Sequence, residues 1–174
     1  MVRIKKVLSC ILAAVIAVSI NGFDKYNKAY AESMTVKEKQ YSAMDFLRQL
    51  SIVPDYYDYN TDLNDTVTRA DFAAAVARAI KANDYSGKPI FYDVSELHWA
   101  FKEISALAAR EIVFGGEGKL FRPDESITKA EAYALVCNVT GYGDIAKMDG
   151  EYPTGYLRAA HTAEIDKYVS ASDK

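Results

Sequence analysis

Two short stretches put a cation where a helix is about to begin. Thr68-Arg69-Ala70-Asp71 and Thr128-Lys129-Ala130-Glu131 stand 60 residues apart. In each, a hydroxyl residue suited to an N-cap precedes the cation, and an acid follows three positions after that cap. A cation in the first turn opposes the helix dipole by about 0.3–1 kcal/mol, so its placement calls for a partner. Free amides at a helix start already attract an anion. An arginine added to them makes a site for a carboxylate gripped by two N–H groups, whereas a lysine offers only a point charge. A groove built on Lys129 is therefore expected to be weaker or less selective than one built on Arg69. The residues alone leave a second reading open, in which Arg69 and Lys129 are exposed and pair with nearby acids such as Asp65 or Glu125.

Other chemistries are poorly supported. The stretch Asp58–Arg69 opens like a calcium loop, D-x-N-x-D, but its sixth position is Leu63 instead of glycine and its twelfth is Arg69 instead of glutamate. A solvated loop leading into the cap is expected there. His98 and His161 are far apart and no cysteine cluster accompanies them, so no metal site is expected. The sequence has no nucleophile elbow, phosphate loop or zinc-protease helix signature. Asp144 and Asp149 lie in a glycine-containing stretch read as a linker. The chain is accordingly read as non-enzymatic and without a cofactor.

The elements that must position these residues occupy 174 residues, half of them hydrophobic, which suits one modest domain with a packed core. Residues 1–31 read as a secretory signal peptide. Arg3, Lys5 and Lys6 form a basic start, Val7–Ile20 is an apolar run of fourteen residues, and Ala29-Tyr30-Ala31 is a small-x-small cleavage site. The run is shorter than the about 20 residues a membrane span requires. Cys10 sits too close to the basic start for a lipoprotein cysteine. Cleavage after Ala31 would remove five of the 21 basic and one of the 24 acidic side chains, leaving 16 against 23, a net charge of −7. That balance argues against nucleic acid as a partner. Cys137 would remain alone, which excludes an internal disulfide and fits core packing.

The two cation-bearing stretches belong to a longer repeat. With a shift of 60 residues, Leu47 falls on Leu107, Ile52-Val53 on Ile112-Val113, Thr68 on Thr128 and Val76 on Val136. Each copy reads as helix, polar loop, helix. The first helices are expected over Tyr41–Gln49 and Leu97–Arg110, with Ile104, Leu107 and Ala108 sharing one face. The second helices begin after Thr68 and Thr128. Their buried stripes are Phe72, Val76 and Ile80 in one copy, and Leu135, Val136 and Val139 in the other. Thr128 with Glu131 has the form of a capping box, and Thr68 with Asp71 its shorter-armed version. With a shift of 53, Trp99 falls on Tyr152 and Ile112 on Ile165, so residues 152–165 read as a third first-helix.

These residues carry a resemblance. Phe91–Val136 resembles an S-layer homology (SLH) repeat: Phe91, Asp93-Val94 and His98-Trp99-Ala100 match its opening, Ile112-Val113 and Gly115 its turn, Phe121, Pro123 and Asp124 its loop, and Ile127-Thr128, Ala130 and Glu131 its second helix start. Residues 32–88 resemble a degenerate first repeat, 89–140 a second, and 141–174 part of a third. The resemblance implies an all-α fold, a truncated form of a three-pronged pseudo-trimer bundle. It implies an exported protein held on a Gram-positive-type cell wall or S-layer by secondary cell wall polysaccharide, typically through a pyruvylated N-acetylmannosamine terminus. A pyruvate ketal supplies the carboxylate that Arg69 or Lys129 would receive. The resemblance also places Trp99 and Asp93 near a groove, with Tyr152 in the equivalent role, although packing explains Tyr152 equally well.

The chain departs from the family pattern. Glycine is missing before each isoleucine, where Ser51, Glu111 and Glu164 stand, so the first helices are expected to end differently. The third cap-and-cation stretch is absent from these residues, which opens an alternative: an S-layer assembly piece completed by a partner subunit, with no glycan site of its own. The caps themselves are independent of that choice. Thr68→Ala and Thr128→Ala are each expected to lower unfolding free energy by about 1 kcal/mol in urea titrations.

Overall fold

The structure is a computed structural model that describes residues 44–165 except 59 and 63. The leader expected over 1–31, Cys10 and residues 41–43 of the first expected helix lie outside the described residues. Residues 44–49 are helical. They are followed by α1 (Arg69–Ala79), α2 (Phe101–Ala109), a short 3-10 turn (Glu117–Lys119), α3 (Lys129–Val139), α4 (Gly143–Met148) and α5 (Thr154–Thr162). The fold is all-α. Among the described residues there is no strand, only one isolated antiparallel bridge between Thr68 and Ser126.

Each helix start has a local cause. Thr68 caps α1 by accepting from the Asp71 N–H, and Thr128 caps α3 by accepting from the Glu131 N–H. In α3 the box is complete, because the Glu131 carboxylate accepts from the Thr128 N–H at 2.9 Å. The shorter Asp71 arm reaches the Thr68 hydroxyl instead, at 2.7 Å. The start of α2 differs from expectation: it begins at Phe101, not Leu97. Residues 96–100 turn before it, the ring Nδ1 of His98 accepts from the Ala100 N–H, and Leu97 is left almost fully exposed.

The helix ends overturn another expectation. Ser51, Glu111 and Glu164 have φ of 56, 56 and 57°, so non-glycine residues occupy the left-handed position that glycine normally fills. All three close the same double turn. Ile52, Ile112 and Ile165 donate to Leu47, Leu107 and Ala160, while the residues before them donate to Arg48, Ala108 and His161. This is the Schellman arrangement, with the isoleucine folded back as its apolar lock. The helices therefore end as a glycine would end them, and the loss of glycine is tolerated as backbone strain.

The main core runs through both complete helix pairs. Leu47, Phe72, Ile104, Leu107 and Phe121 are almost fully buried. Alanines 70, 73, 74, 75 and 77 are buried on several sides of α1, which lets α2 and α3 approach it closely. Of the expected stripes, Phe72, Val76, Leu135 and Val136 are buried, while Ile80 and Val139 are only partly so. A second core joins α3 to α4 and α5 through Tyr133, Cys137, Ala146, Tyr156, Ala159 and Ala160. The stretch read as a linker thus contains a helix, α4. It is held because Gly155 admits the Ala146 carbonyl so closely that a Cβ there would lie 2.0 Å away. The expected third first-helix is present as α5.

If the left-handed ends are strained, glycine should relieve them. Glu111→Gly is expected to raise stability by roughly 0.5–1 kcal/mol, less than the full left-handed penalty because glycine also gains freedom when unfolded. Chemical denaturation of the two proteins checks this.

Candidate functional site

The loop ahead of α3 docks on the start of α1, and this docking builds the site. The N–H groups of Arg69 and Ala70 donate to the carbonyls of Glu125 and Pro123, both at 2.9 Å, and Ile127 donates to Val67 at 2.9 Å. The amides of Asp71 and Phe72 are taken by the Thr68 hydroxyl and carbonyl. The backbone amides expected to receive an anion at α1 are therefore all occupied by the protein itself.

Arg69 is also not the exposed cation of the alternative reading. It is buried and turned inward. Its Nε donates to the Phe121 carbonyl at 2.7 Å, its guanidinium lies 4.8 Å from the Phe121 ring centroid, and Nη1 pairs with Glu131. Burial pulls its pKa below the ordinary arginine value, and the Glu131 charge opposes that shift. Glu131 thus has two roles: one carboxylate oxygen closes the α3 capping box and the other neutralises Arg69.

Around this pair the structure gathers Thr128, Arg122 and Tyr152. Arg122 approaches Glu131 and Glu125 at 3.6 Å each and keeps a partly exposed side chain. Tyr152 is more than half exposed. Its phenol is pushed above the ordinary tyrosine range, first by burial and then by the Glu131 charge. The sequence pattern had singled out Arg69, Thr128, Glu131 and Tyr152 but missed Arg122. The signal available was its place between Phe121 and Pro123, within the loop the repeat pattern marks.

The other expected site residues lie elsewhere or act differently. Asp93 accepts from the N–H groups of Phe121 and Arg122 at 2.8 and 2.6 Å, so both its oxygens hold the loop. Lys129 is exposed, with Nζ 5.4 Å from the Tyr133 ring centroid. Trp99 is half exposed near the other end of α1, where the Arg78 guanidinium lies 5.9 Å from its ring centroid and His98 stacks beside it. Arg78 also binds Glu103 through Nε and Nη2 at 3.0 and 2.9 Å. Arg78 stands nine positions along the helix from Arg69, about 13 Å along the axis, so Trp99 belongs to a different part of the surface. Asp71 accepts from the Tyr56 hydroxyl, which burial and this bond push above the ordinary tyrosine range.

The calcium-like loop uses its acids locally. Asp58 accepts from the N–H of Asn60, and Asp62 from the N–H of Asn64. The bond from Asn60 is the leading cause of a lowered Asp58 pKa. Among the described residues no cluster of three or more histidine, cysteine, aspartate or glutamate side chains is placed to hold a metal. Cys137 is buried in the second core, and burial pushes its thiol up to about 11. Among the described residues no helix is long and apolar enough to cross a membrane.

A helix–loop–helix pair whose loop seals the preceding helix start, with a cation and an acid at the seam, defines a class of repeat module. Residues 90–132 match the S-layer homology domain. The chain is similar to the middle cell wall protein of Brevibacillus brevis, 25% identical over 174 residues, which covers 95% of this chain and 16% of that protein. It is also similar to the surface layer protein of Brevibacillus choshinensis, 26% identical over 175 residues, covering 95% of this chain and 15% of that one. The cellulosome-anchoring protein of Acetivibrio thermocellus is 27% identical over 133 residues, covering 71% of this chain and 30% of its own length. The chain thus spans about one sixth of the length of the first two relatives.

The seam should be fragile to loss of either charge. Arg69→Ala leaves Glu131 without its main counter-charge and a gap beside Phe121. It is expected to cost about 3 kcal/mol of unfolding free energy, far more than Lys129→Ala, whose exposed amine should cost under about 0.5 kcal/mol. Thermal and denaturant unfolding of both variants checks the ranking.

Proposed function

We propose that the chain anchors to the cell wall or S-layer surface without catalysis, by binding secondary cell wall polysaccharide through an anionic, pyruvylated terminus. The observation that carries the reading is the seam itself. Two guanidiniums, Arg69 and Arg122, meet one shared carboxylate, Glu131, beside the exposed Tyr152 ring. Arg122 is held only by long contacts to Glu131 and to the exposed Glu125, both 3.6 Å, so its guanidinium can be offered to a ligand next to an aromatic face on which a sugar can stack. The local cation answers the difficulty that the chain is acidic, at −3 overall and −7 without residues 1–31. An anionic glycan would be drawn by this local potential, and its binding would weaken as salt screens it. The SLH match and the relatives' cell-wall and surface-layer names support the same location.

A second reading is favoured by one observation. The Arg69 and Ala70 amides of α1 are sealed by a loop, whereas among the described residues the corresponding Lys129 and Ala130 amides of α3 meet no such loop. On this reading another S-layer subunit supplies it.

The protein expressed without residues 1–31 is expected to sediment with purified Gram-positive walls that carry pyruvylated polysaccharide. It should be lost from walls depyruvylated by mild acid and released by added salt. Failure to sediment, or equal retention on both wall preparations, would reject the anionic-glycan reading. A concentration-dependent oligomer in size-exclusion chromatography would favour assembly through a partner subunit.

A further inference from the structure

We propose that Arg122, rather than Arg69, is the guanidinium that receives the ligand's carboxylate, and that Asp93 is the positioning residue that aims it. The inference rests on the glycan-binding reading above and names the contact within that site. The donors of the two arginines differ in availability. Arg69 is committed to the Phe121 carbonyl, the Phe121 ring and Glu131, with only 9% of its side chain exposed. Glu131 is committed in turn, one oxygen to Arg69 and the other to the Thr128 N–H and hydroxyl. Within this group Arg122 is the more exposed cation, and its two acid contacts, to Glu125 and Glu131, are the long ones.

Arg122 has 44% of its side chain exposed, and both its acid contacts, to Glu125 and Glu131, are 3.6 Å long. That is beyond a formed hydrogen bond, so the fork of N–H groups remains available to a planar carboxylate. Glu125 is itself 60% exposed and can swing into solvent when a ligand arrives. One end of the guanidinium passes over Gly116, where an added Cβ would lie 3.6 Å from Nη2.

The aim comes from the backbone. Arg122 has φ of 59°, an unusual conformation for a residue with a side chain. It is held by Asp93, whose two oxygens accept from the Phe121 and Arg122 N–H groups. This turns the side chain toward the seam instead of letting it follow the loop outward. The feature is particular to the second loop. At the 60-residue shift the first loop carries Asp62, the opposite charge. The fork of Arg122 fits a planar carboxylate; on the glycan reading, the sugar that bears it would lie against the exposed Tyr152 ring.

The test titrates the folded protein with three probes and follows the Arg122 Nε–Hε NMR signal. The probes are the methyl glycoside of 4,6-pyruvylated N-acetylmannosamine, the same glycoside without the ketal, and inorganic phosphate. The pyruvylated glycoside alone is expected to shift the signal. Arg122→Ala should weaken its binding at least tenfold while leaving the unfolding midpoint unchanged, with Arg122→Lys intermediate. Asp93→Asn should weaken binding too, but not further in the Arg122→Ala background, which a purely structural role would not produce. Wild-type affinity in Arg122→Ala, or an equal response to phosphate, would overturn the proposal. If the wild-type protein fails to sediment with walls, the anchoring reading falls, and the glycoside titration still decides the Arg122 contact independently.

Discussion

The contact on which the rest of the structure depends is the buried guanidinium of Arg69. Taking an arginine out of water is costly unless its charge and its N–H groups are met in place. Here they are met by groups from the following helix pair: the Phe121 carbonyl, the Phe121 ring and the Glu131 carboxylate. The arginine can be buried only if the loop ahead of α3 is docked on α1. The docked loop in turn supplies the carbonyls that seal the first amides of α1. One buried charge thus makes the two helix pairs a single unit and explains why a cation can stand at the positive end of a helix.

The same docking explains how an acidic chain presents a cation. Glu131 serves both as the third residue of a capping box and as the counter-ion of Arg69. Because this carboxylate is engaged by Arg69 and the cap, the second guanidinium nearby, Arg122, is left with only long contacts to it and to the exposed Glu125. The positive potential arises from how acids are allocated among partners, and total charge does not reveal it.

Left-handed backbone recurs at non-glycine positions. Ser51, Glu111 and Glu164 hold the left-handed ends of the first helices, and Arg122 holds a left-handed position in the loop. At the helix ends the conformation is secured by paired backbone bonds and an isoleucine packed in or against the core. In the loop it is secured by a half-buried carboxylate, Asp93. Conformations that cost free energy locally persist where surrounding contacts over-determine them.

Much of the fold was legible in the sequence because its signals are local. The caps at Thr68 and Thr128 act over three residues, the apolar stripes over one helix, and the 60-residue repeat is visible without coordinates. The burial of Cys137 follows from the same periodicity. What only the tertiary structure decided were the contacts between residues far apart in the chain. Arg69 meets Phe121 across 52 positions, and Asp93 holds Arg122 across 29. The sequence placed a cation at a helix start but could not say whether it faces solvent, ligand or protein, because that depends on which loop docks there. Nor could it say that Trp99, beside Arg78, is kept apart from Arg69 by the length of α1. Helix formation is governed by neighbours within a turn or two, while the direction of a long charged side chain is set by the desolvation and pairing that packing imposes.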